Sequence, residues 1–156
     1  MLNVLHLEPD PLNWKKRITL DCQLTQGNLK VAANAMVDSG ATGLGFISRQ
    51  FAQEHGFLTT PLDRYIDLFG FDGTRVLRGR ITHVVRLQLE HDSHLETISL
   101  FVTTLGKHRI ILGFPWMKRH KIIPDWRQQK LRFTSGRCQR HLHTNKRHDS
   151  TRLVPT

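Results

Sequence analysis

The sequence predicts a mainly β protein, a small and mostly antiparallel barrel or sandwich. Three observations support this fold class: apolar residues alternate with polar ones in many short runs, turn-forming residues separate those runs, and only two segments carry helical signals. The chain has 156 residues, enough for one domain with a hydrophobic core. Because the hydrophobic fraction is only 38%, we expect part of the chain to lie outside that core.

The predicted strands follow one another mainly as hairpins. In the first, ITLDCQL at 18–24 places Ile18, Leu20, Cys22 and Leu24 on one face, and the turn TQGN leads into LKVAANAMV. A second hairpin joins RYIDLF at 64–69 to RVLRGRI through GFDGT at 70–74, where Asp-Gly is a turn signal. A third joins ITHVVRLQL at 81–89 to LETISLFV at 95–102. IIL at 110–112 and KLRF at 130–133 complete the predicted set.

Two short helices are predicted. SRQFAQEHG has Ser48 in position to cap the helix N-terminus and Gly56 in position to end it. FPWMKRH carries Pro115 close to its first turn, where the fixed backbone angle of proline suits a helix start.

The net charge of +10 is concentrated at the C-terminus. Residues 1–117 contain 12 Lys/Arg and 11 Asp/Glu, whereas residues 118–156 contain 11 and 2. We predict that residues 135–156 form a basic disordered tail, because so few apolar side chains cannot offset the chain entropy. A solvated tail is the simpler interpretation, and non-specific contact with nucleic-acid phosphates is the other.

Composition also limits cofactors and location. Cys138, His141, His143 and His148 lack an accepted zinc spacing, so we assign no metal site and no cofactor. We expect no membrane span, because no apolar run approaches 18 residues. The first residues lack the basic start and apolar stretch of a secretory signal. The two cysteines lie far apart in the sequence and do not imply a disulfide. Together, these features predict an intracellular, cytoplasmic protein.

The stretch AMVDSGATGLGFIS at 35–48 places one carboxylate, Asp38, between an apolar run and a glycine-rich segment. Phosphate binding does not fit, because the glycines are spaced G-x-x-G-x-G, no lysine follows, and the acid would repel an anion. Taken alone, Asp-Ser-Gly is ordinary turn chemistry, with Asp38 as a turn-capping residue. The alternative is that the loop presents the carboxylate for use, since a carboxylate ending a buried strand is costly unless it is bonded or paired.

The wider sequence pattern favours the second interpretation, in which the loop presents the carboxylate of Asp38 for chemistry. VDSGATGLGFIS, the hairpin tip FDGT and the later HRIILGFPWMKRHKIIPDW together resemble the retropepsin-like aspartic proteases, most closely the protease domain of fungal gypsy-type LTR retrotransposon polyproteins. The resemblance covers about residues 15–134. It implies a closed barrel of the retropepsin type between an N-terminal extension, 1–14, and the tail, 135–156.

The resemblance also assigns roles to individual residues. Asp38 is the catalytic carboxylate, and Ser39, Gly40, Ala41 and Thr42 support its loop. Phe71, Asp72, Gly73 and Thr74 form the tip of a flap over the substrate, and the alternative for this tip is a plain exposed turn. Leu112 and Gly113 pack beneath the catalytic loop. Because the chain has only one Asp-Ser-Gly, a homodimer is implied, with one Asp38 from each subunit.

The predicted function is therefore aspartic endopeptidase activity on polypeptide substrates, in retrotransposon polyprotein maturation. The alternative is a catalytically silent, domesticated dimer or binding module whose basic tail contacts nucleic acid. A serine hydrolase with Ser39 as nucleophile is disfavoured, because the G-x-S-x-G motif and a recognisable base are absent from the sequence.

Overall fold

The computed structural model describes residues 18–68, 80–125 and 127–135. Their elements, in chain order, are β1 (Thr19–Gln26), β2 (Leu29–Asp38), β3 (Gly45–Ser48), α1 (Arg49–His55), β4 (Thr60–Ile66), β5 (Ile81–His91), β6 (His94–Thr103), β7 (Ile110–Gly113), α2 (Phe114–Arg119), β8 (Ile122–Asp125) and β9 (Lys130–Phe133). The mainly β class and the two short helices are confirmed. The predicted N-terminal extension, 1–14, and residues 136–156 of the predicted tail lie outside the described residues. Ser135, the first residue of the predicted tail, is buried and its N–H donates to the His120 carbonyl at 3.3 Å.

Six strands close into a barrel. Hydrogen bonding runs in the order β1-β2-β7-β3-β6-β5, and β1 closes the ring by pairing with β5. Strand β4 attaches to β5 beside the barrel, while β8 and β9 form a separate two-stranded sheet. The small closed barrel expected from the resemblance is therefore confirmed.

The barrel interior follows from the alternation in the sequence. The predicted inward face of the first strand, Ile18, Leu20, Cys22 and Leu24, is buried throughout. Ile81, Val85, Leu87 and Leu89 are likewise buried on β5. Successive side chains of a strand point to opposite faces, so one face of each strand fills the core and the other meets solvent.

Most strand pairings are antiparallel, as predicted, but two are parallel. Strand β2 pairs in parallel with β7, and β3 pairs in parallel with β6. Strands β3 and β8 were not predicted. All four residues of β3 are buried, and a run that short shows no alternation by which to distinguish a strand from the glycine-rich loop before it.

The second predicted hairpin is described only in part. Its first strand begins at Thr60 instead of residue 64, ends at Ile66 and pairs with β5. The turn at 70–74 and residues 75–79 of the returning arm lie outside the described residues.

Both helices begin where the sequence predicted. At α1, the Ser48 side chain accepts a hydrogen bond from the Phe51 N–H at 3.2 Å, and Gly56 ends the helix with φ of 76°. The left-handed conformation favours glycine at such a position. At α2, Pro115 lies in the first turn and Trp116 is fully buried. No helix in the described ranges is long and apolar enough to cross a membrane.

Candidate active site

Asp38 is the last residue of β2, where the strand reaches the edge of the barrel. In the parallel register of β2 and β7, Asp38 is paired with Gly113. The side chain is half-buried, and Ser39, Gly40 and Thr42 after it are exposed. Only Ala41 of this group turns inward, and it is fully buried. The loop therefore presents a carboxylate at an accessible surface while one small apolar residue anchors it.

The turn after β2 holds the carboxylate through its own backbone. The Gly40 N–H donates to Asp38 Oδ1 at 2.9 Å, and the Ala41 N–H donates to the Asp38 carbonyl at 3.2 Å. This is the turn chemistry expected of Asp-x-Gly. The first glycine of the segment thus directs its backbone donor at the chain's own acid, which explains the glycine without a bound phosphate.

Gly113 lies directly beneath the loop. Its N–H donates to the Leu44 carbonyl at 3.0 Å, and the next N–H, that of Phe114, donates to the Ala41 carbonyl at 2.9 Å. A Cβ at residue 113 would lie 1.9 Å from the Gly43 carbonyl oxygen and 2.9 Å from that of Ala41. Both contacts are with backbone, which cannot rotate away, so only glycine allows β7 to approach the loop this closely.

The structure thus brings together the residues predicted for the catalytic loop, Asp38 to Thr42, and the two predicted beneath it. Leu112 is fully buried in the core just before Gly113. The predicted flap tip, Phe71, Asp72, Gly73 and Thr74, lies outside the described residues, so its position relative to Asp38 stays a prediction.

A second group of polar side chains, which sequence reasoning missed, lies at the other end of α2. His94 on β6, Glu96 on the same strand and His120 after α2 converge inside the protein, and we call them the His94–Glu96–His120 cluster. His94 Nε2 is 2.7 Å from Glu96 Oε2, and His120 Nε2 is 2.5 Å from the same oxygen. Trp116 Nε1 donates to Glu96 Oε1 at 2.9 Å.

Burial and charge oppose each other at Glu96. Burial by itself raises the pKa of this carboxyl group, but the hydrogen bonds and charge interactions with His120 and His94 outweigh it and lower the pKa to about 2. A signal for this cluster was present in the sequence. His94 and Glu96 occupy the same alternating positions of β6 as the buried Ile98, Leu100 and Val102, so two ionisable residues stand where the pattern expects apolar ones.

The barrel with this loop can be compared with known proteins. The retroviral protease-like domain of Ddi1 from Leishmania major is 20% identical in sequence, with a TM-score of 0.52 over 76% of this chain and 88% of that chain. EIAV protease complexed with the inhibitor HBY-793 is 13% identical, with a TM-score of 0.49 over 69% of this chain and 90% of that chain. The fold is that of a retropepsin-like protease domain.

A family model identifies the chain more closely. The model of the PEG10/RTL1 protease domain matches residues 34–142, which is more than half of the chain and includes the loop from Asp38 to Thr42. The chain belongs to this family. The fungal gypsy-type origin implied by the resemblance stays a prediction.

Proposed function

We propose that this protein is an aspartic endopeptidase that acts as a homodimer on extended polypeptide segments. The observation that carries the proposal is the placement of Asp38: a carboxylate at the open edge of the barrel, oriented by the Gly40 N–H. The tight backbone contact between Gly113 and the loop supports it further, because a site for chemistry needs its reacting groups held in place.

Peptide hydrolysis of this type needs two carboxylates that share one proton, because like charges about 3 Å apart cannot both ionise. The sequence has one Asp-Ser-Gly, so the second carboxylate comes from Asp38 of a second copy across a two-fold axis. Ser39 directly follows Asp38 and is exposed, and in the proposed dimer it hydrogen-bonds across that interface. The shared proton makes the apparent pKa values properties of the pair and not of either residue.

The reaction follows from the two protonation states. The ionised carboxylate takes a proton from a water molecule, whose oxygen attacks the carbonyl carbon of the scissile peptide. The protonated carboxyl group donates to the carbonyl oxygen. Collapse of the tetrahedral species breaks the C–N bond, and a proton passes to the leaving amine. The segment with Phe71, Asp72, Gly73 and Thr74 serves as the flap that excludes water from the bound peptide.

The direct test is cleavage of a peptide library between about pH 4 and 7 by the wild-type chain and by Asp38→Asn, a range that brackets shared-proton carboxylates. We expect the variant to lose at least about 1,000-fold in rate, because general acid-base catalysis supplies effects of this order. A statine-type transition-state mimic blocks the wild type. The matched control is Asp92→Asn, because Asp92 lies in the exposed β5–β6 turn with φ of 49°, where asparagine is well tolerated.

A second candidate is a catalytically silent dimer whose basic segment contacts nucleic acid. The observation that favours it is the charge of residues 118–156, 11 Lys/Arg against 2 Asp/Glu. Absence of cleavage at chain concentrations where sedimentation shows a dimer would reject the protease and leave this candidate. Salt-dependent binding of single-stranded RNA, lost when residues 136–156 are removed, would then support it.

The proposed substrate is the polyprotein of the retrotransposon that encodes the chain. Cleavage confined to unrelated peptides, with none at the junctions of such a polyprotein, would reject this assignment and leave the endopeptidase activity standing.

A further inference from the structure

The His94–Glu96–His120 cluster gathers three potential ligand atoms at one point. His94 and Glu96 are two residues apart on β6, and side chains with this spacing share a face of the strand. His120 directly follows α2 and reaches the same point from the neighbouring element. One nitrogen from each imidazole and one carboxylate oxygen all lie within 4.8 Å of one another.

The cluster is removed from solvent. The side chains of His94 and His120 are 3% exposed, and that of Glu96 is 10% exposed. A buried carboxylate is unfavourable unless a positive charge accompanies it. In the described part of the chain, both ion-pair partners of Glu96 are imidazoles, and no lysine or arginine pairs with it. The positive charge is therefore supplied either by a proton on an imidazole or by a bound cation.

The neighbouring side chains suit a cation. Trp116 Nε1 donates to Glu96 Oε1 at 2.9 Å, which fixes the carboxylate and directs the other oxygen, Oε2, at the two imidazoles. The Phe133 ring stacks on His94 with centroids 4.6 Å apart, and it meets the Trp116 ring edge-on at 5.7 Å. Hydrogen-bonded ligands inside an apolar shell are typical of metal sites, because the shell strengthens the electrostatic attraction and the hydrogen bonds orient the donors.

We propose that the His94–Glu96–His120 cluster binds one divalent transition-metal ion of the Zn²⁺ type. Two imidazole nitrogens and one carboxylate oxygen are ligands that Zn²⁺ accepts, with water in the fourth position. Ca²⁺ and Mg²⁺ are disfavoured, because they select oxygen ligands.

The observed spacing is compact but adjustable. Tetrahedral ligands about 2.0 Å from Zn²⁺ are about 3.3 Å from each other, whereas His120 Nε2 and His94 Nε2 are 2.5 and 2.7 Å from Glu96 Oε2. Binding therefore moves each imidazole outward by less than about 1 Å, a shift that side-chain rotation provides. The bound ion joins β6 to the end of α2, and its binding does not require the proposed peptidase activity.

The first experiment measures metal binding by the complete, untagged chain. After treatment with a chelator and exchange into metal-free buffer, Zn²⁺ is added and its stoichiometry determined by equilibrium dialysis and elemental analysis. We expect one ion per chain with a Kd of about 1 μM or tighter. In 100-fold excess over Kd, Zn²⁺ raises the melting temperature by about 5 °C or more, because a ligand bound only by the folded state stabilises it.

Two sets of variants locate the ion. Glu96→Gln and His120→Gln abolish binding, while His91→Gln on the same hairpin retains it. The rival ligands of this chain are Cys138, His141, His143 and His148, so a variant with Ser at 138 and Gln at the three histidines is essential. We expect that variant to bind like the wild type. Binding that disappears with the four rival ligands but survives Glu96→Gln, or no binding by the wild type, overturns the proposal.

Co²⁺ spectroscopy provides a measurement that does not depend on folding of the cluster variants. The variant lacking the four rival ligands is loaded with Co²⁺ and its electronic absorption recorded. We expect the strong visible bands of four-coordinate Co²⁺ without the near-ultraviolet sulfur-to-cobalt band that a thiolate ligand gives. A spectrum with only the weak visible bands of six-coordinate Co²⁺ would overturn the proposal.

Discussion

Two carboxylates, Asp38 and Glu96, lie toward opposite ends of the segment that runs from β7 through α2, and their surroundings differ in almost every respect. Asp38 is half-buried at the barrel edge and has one backbone donor, the Gly40 N–H. Glu96 is inside the protein and is contacted by His94, His120 and Trp116. The contacts of Glu96 all come from side chains of one chain, whereas Asp38 is half-exposed, as the proposed pairing with a second Asp38 requires.

The same short helix connects the two sites. Its first residue, Phe114, donates its N–H to the Ala41 carbonyl in the loop after Asp38. Trp116, two residues later, donates to Glu96, and His120 follows the helix end. Because α2 has only six residues, it is about 9 Å long. The buried cluster therefore anchors the helix whose start holds the proposed catalytic loop.

The largest effect on stability is expected at Gly113, where the loop after Asp38 packs on the core. We expect Gly113→Ala to lower the free energy of unfolding by about 3 kcal/mol, because the new methyl group overlaps the backbone of Gly43. Peptidase activity falls with it as the loop is displaced. Urea unfolding measures the change. The matched control is Gly27→Ala, at φ of 59° with open space around it, which costs only about 1 kcal/mol. Equal losses in the two variants would show that Gly113 has no special role.

A smaller effect on stability is expected at Glu96, and this effect depends on pH. The folded-state pKa of Glu96, about 2, lies below the ordinary value of 4.5. Its contribution to stability is therefore fully present above about pH 4.5 and is lost as the pH falls through 2. Between pH 5 and 3, in a buffer with chelator, we expect the wild type to lose about 2 kcal/mol more unfolding free energy than Glu96→Gln.

The control for this measurement is Glu90→Gln, which removes an exposed carboxylate from β5 and is expected to follow the wild-type pH dependence. Parallel curves for the wild type and Glu96→Gln would mean that the imidazoles do not stabilise the ionised form of Glu96.

The smallest effect on stability is expected when the carboxylate of Asp38 is replaced by an amide. We expect Asp38→Asn to alter the free energy of unfolding by less than about 0.5 kcal/mol, as for most surface substitutions, because the amide oxygen still accepts from Gly40 N–H. Urea unfolding of the variant at low chain concentration, where the monomer dominates, measures it. A loss as large as that of a core substitution would place Asp38 among the structural carboxylates, together with Glu96.

The glycine-rich segment at 35–48 shows how far local reasoning reached. The sequence alone assigned a turn after β2, and the structure places one there, with Gly40 bonded to Asp38. It did not assign β3, because a four-residue buried strand has no internal periodicity and is specified by its neighbours β6 and β7. The parallel pairing of β2 with β7 was equally inaccessible, since it joins residues about 75 positions apart.

What the sequence determined by itself is whatever depends on neighbouring residues: the alternation that fills the barrel, the Ser48 and Gly56 helix ends, and the single Asp-Ser-Gly turn. What only the tertiary structure decided is whatever depends on distant segments meeting. The fit of Gly113 under the loop after Asp38 and the contact of Glu96 with His120 both belong to this second class. The physical reason is that barrel closure, and not local propensity, sets which side chains of separate strands and helices come into contact.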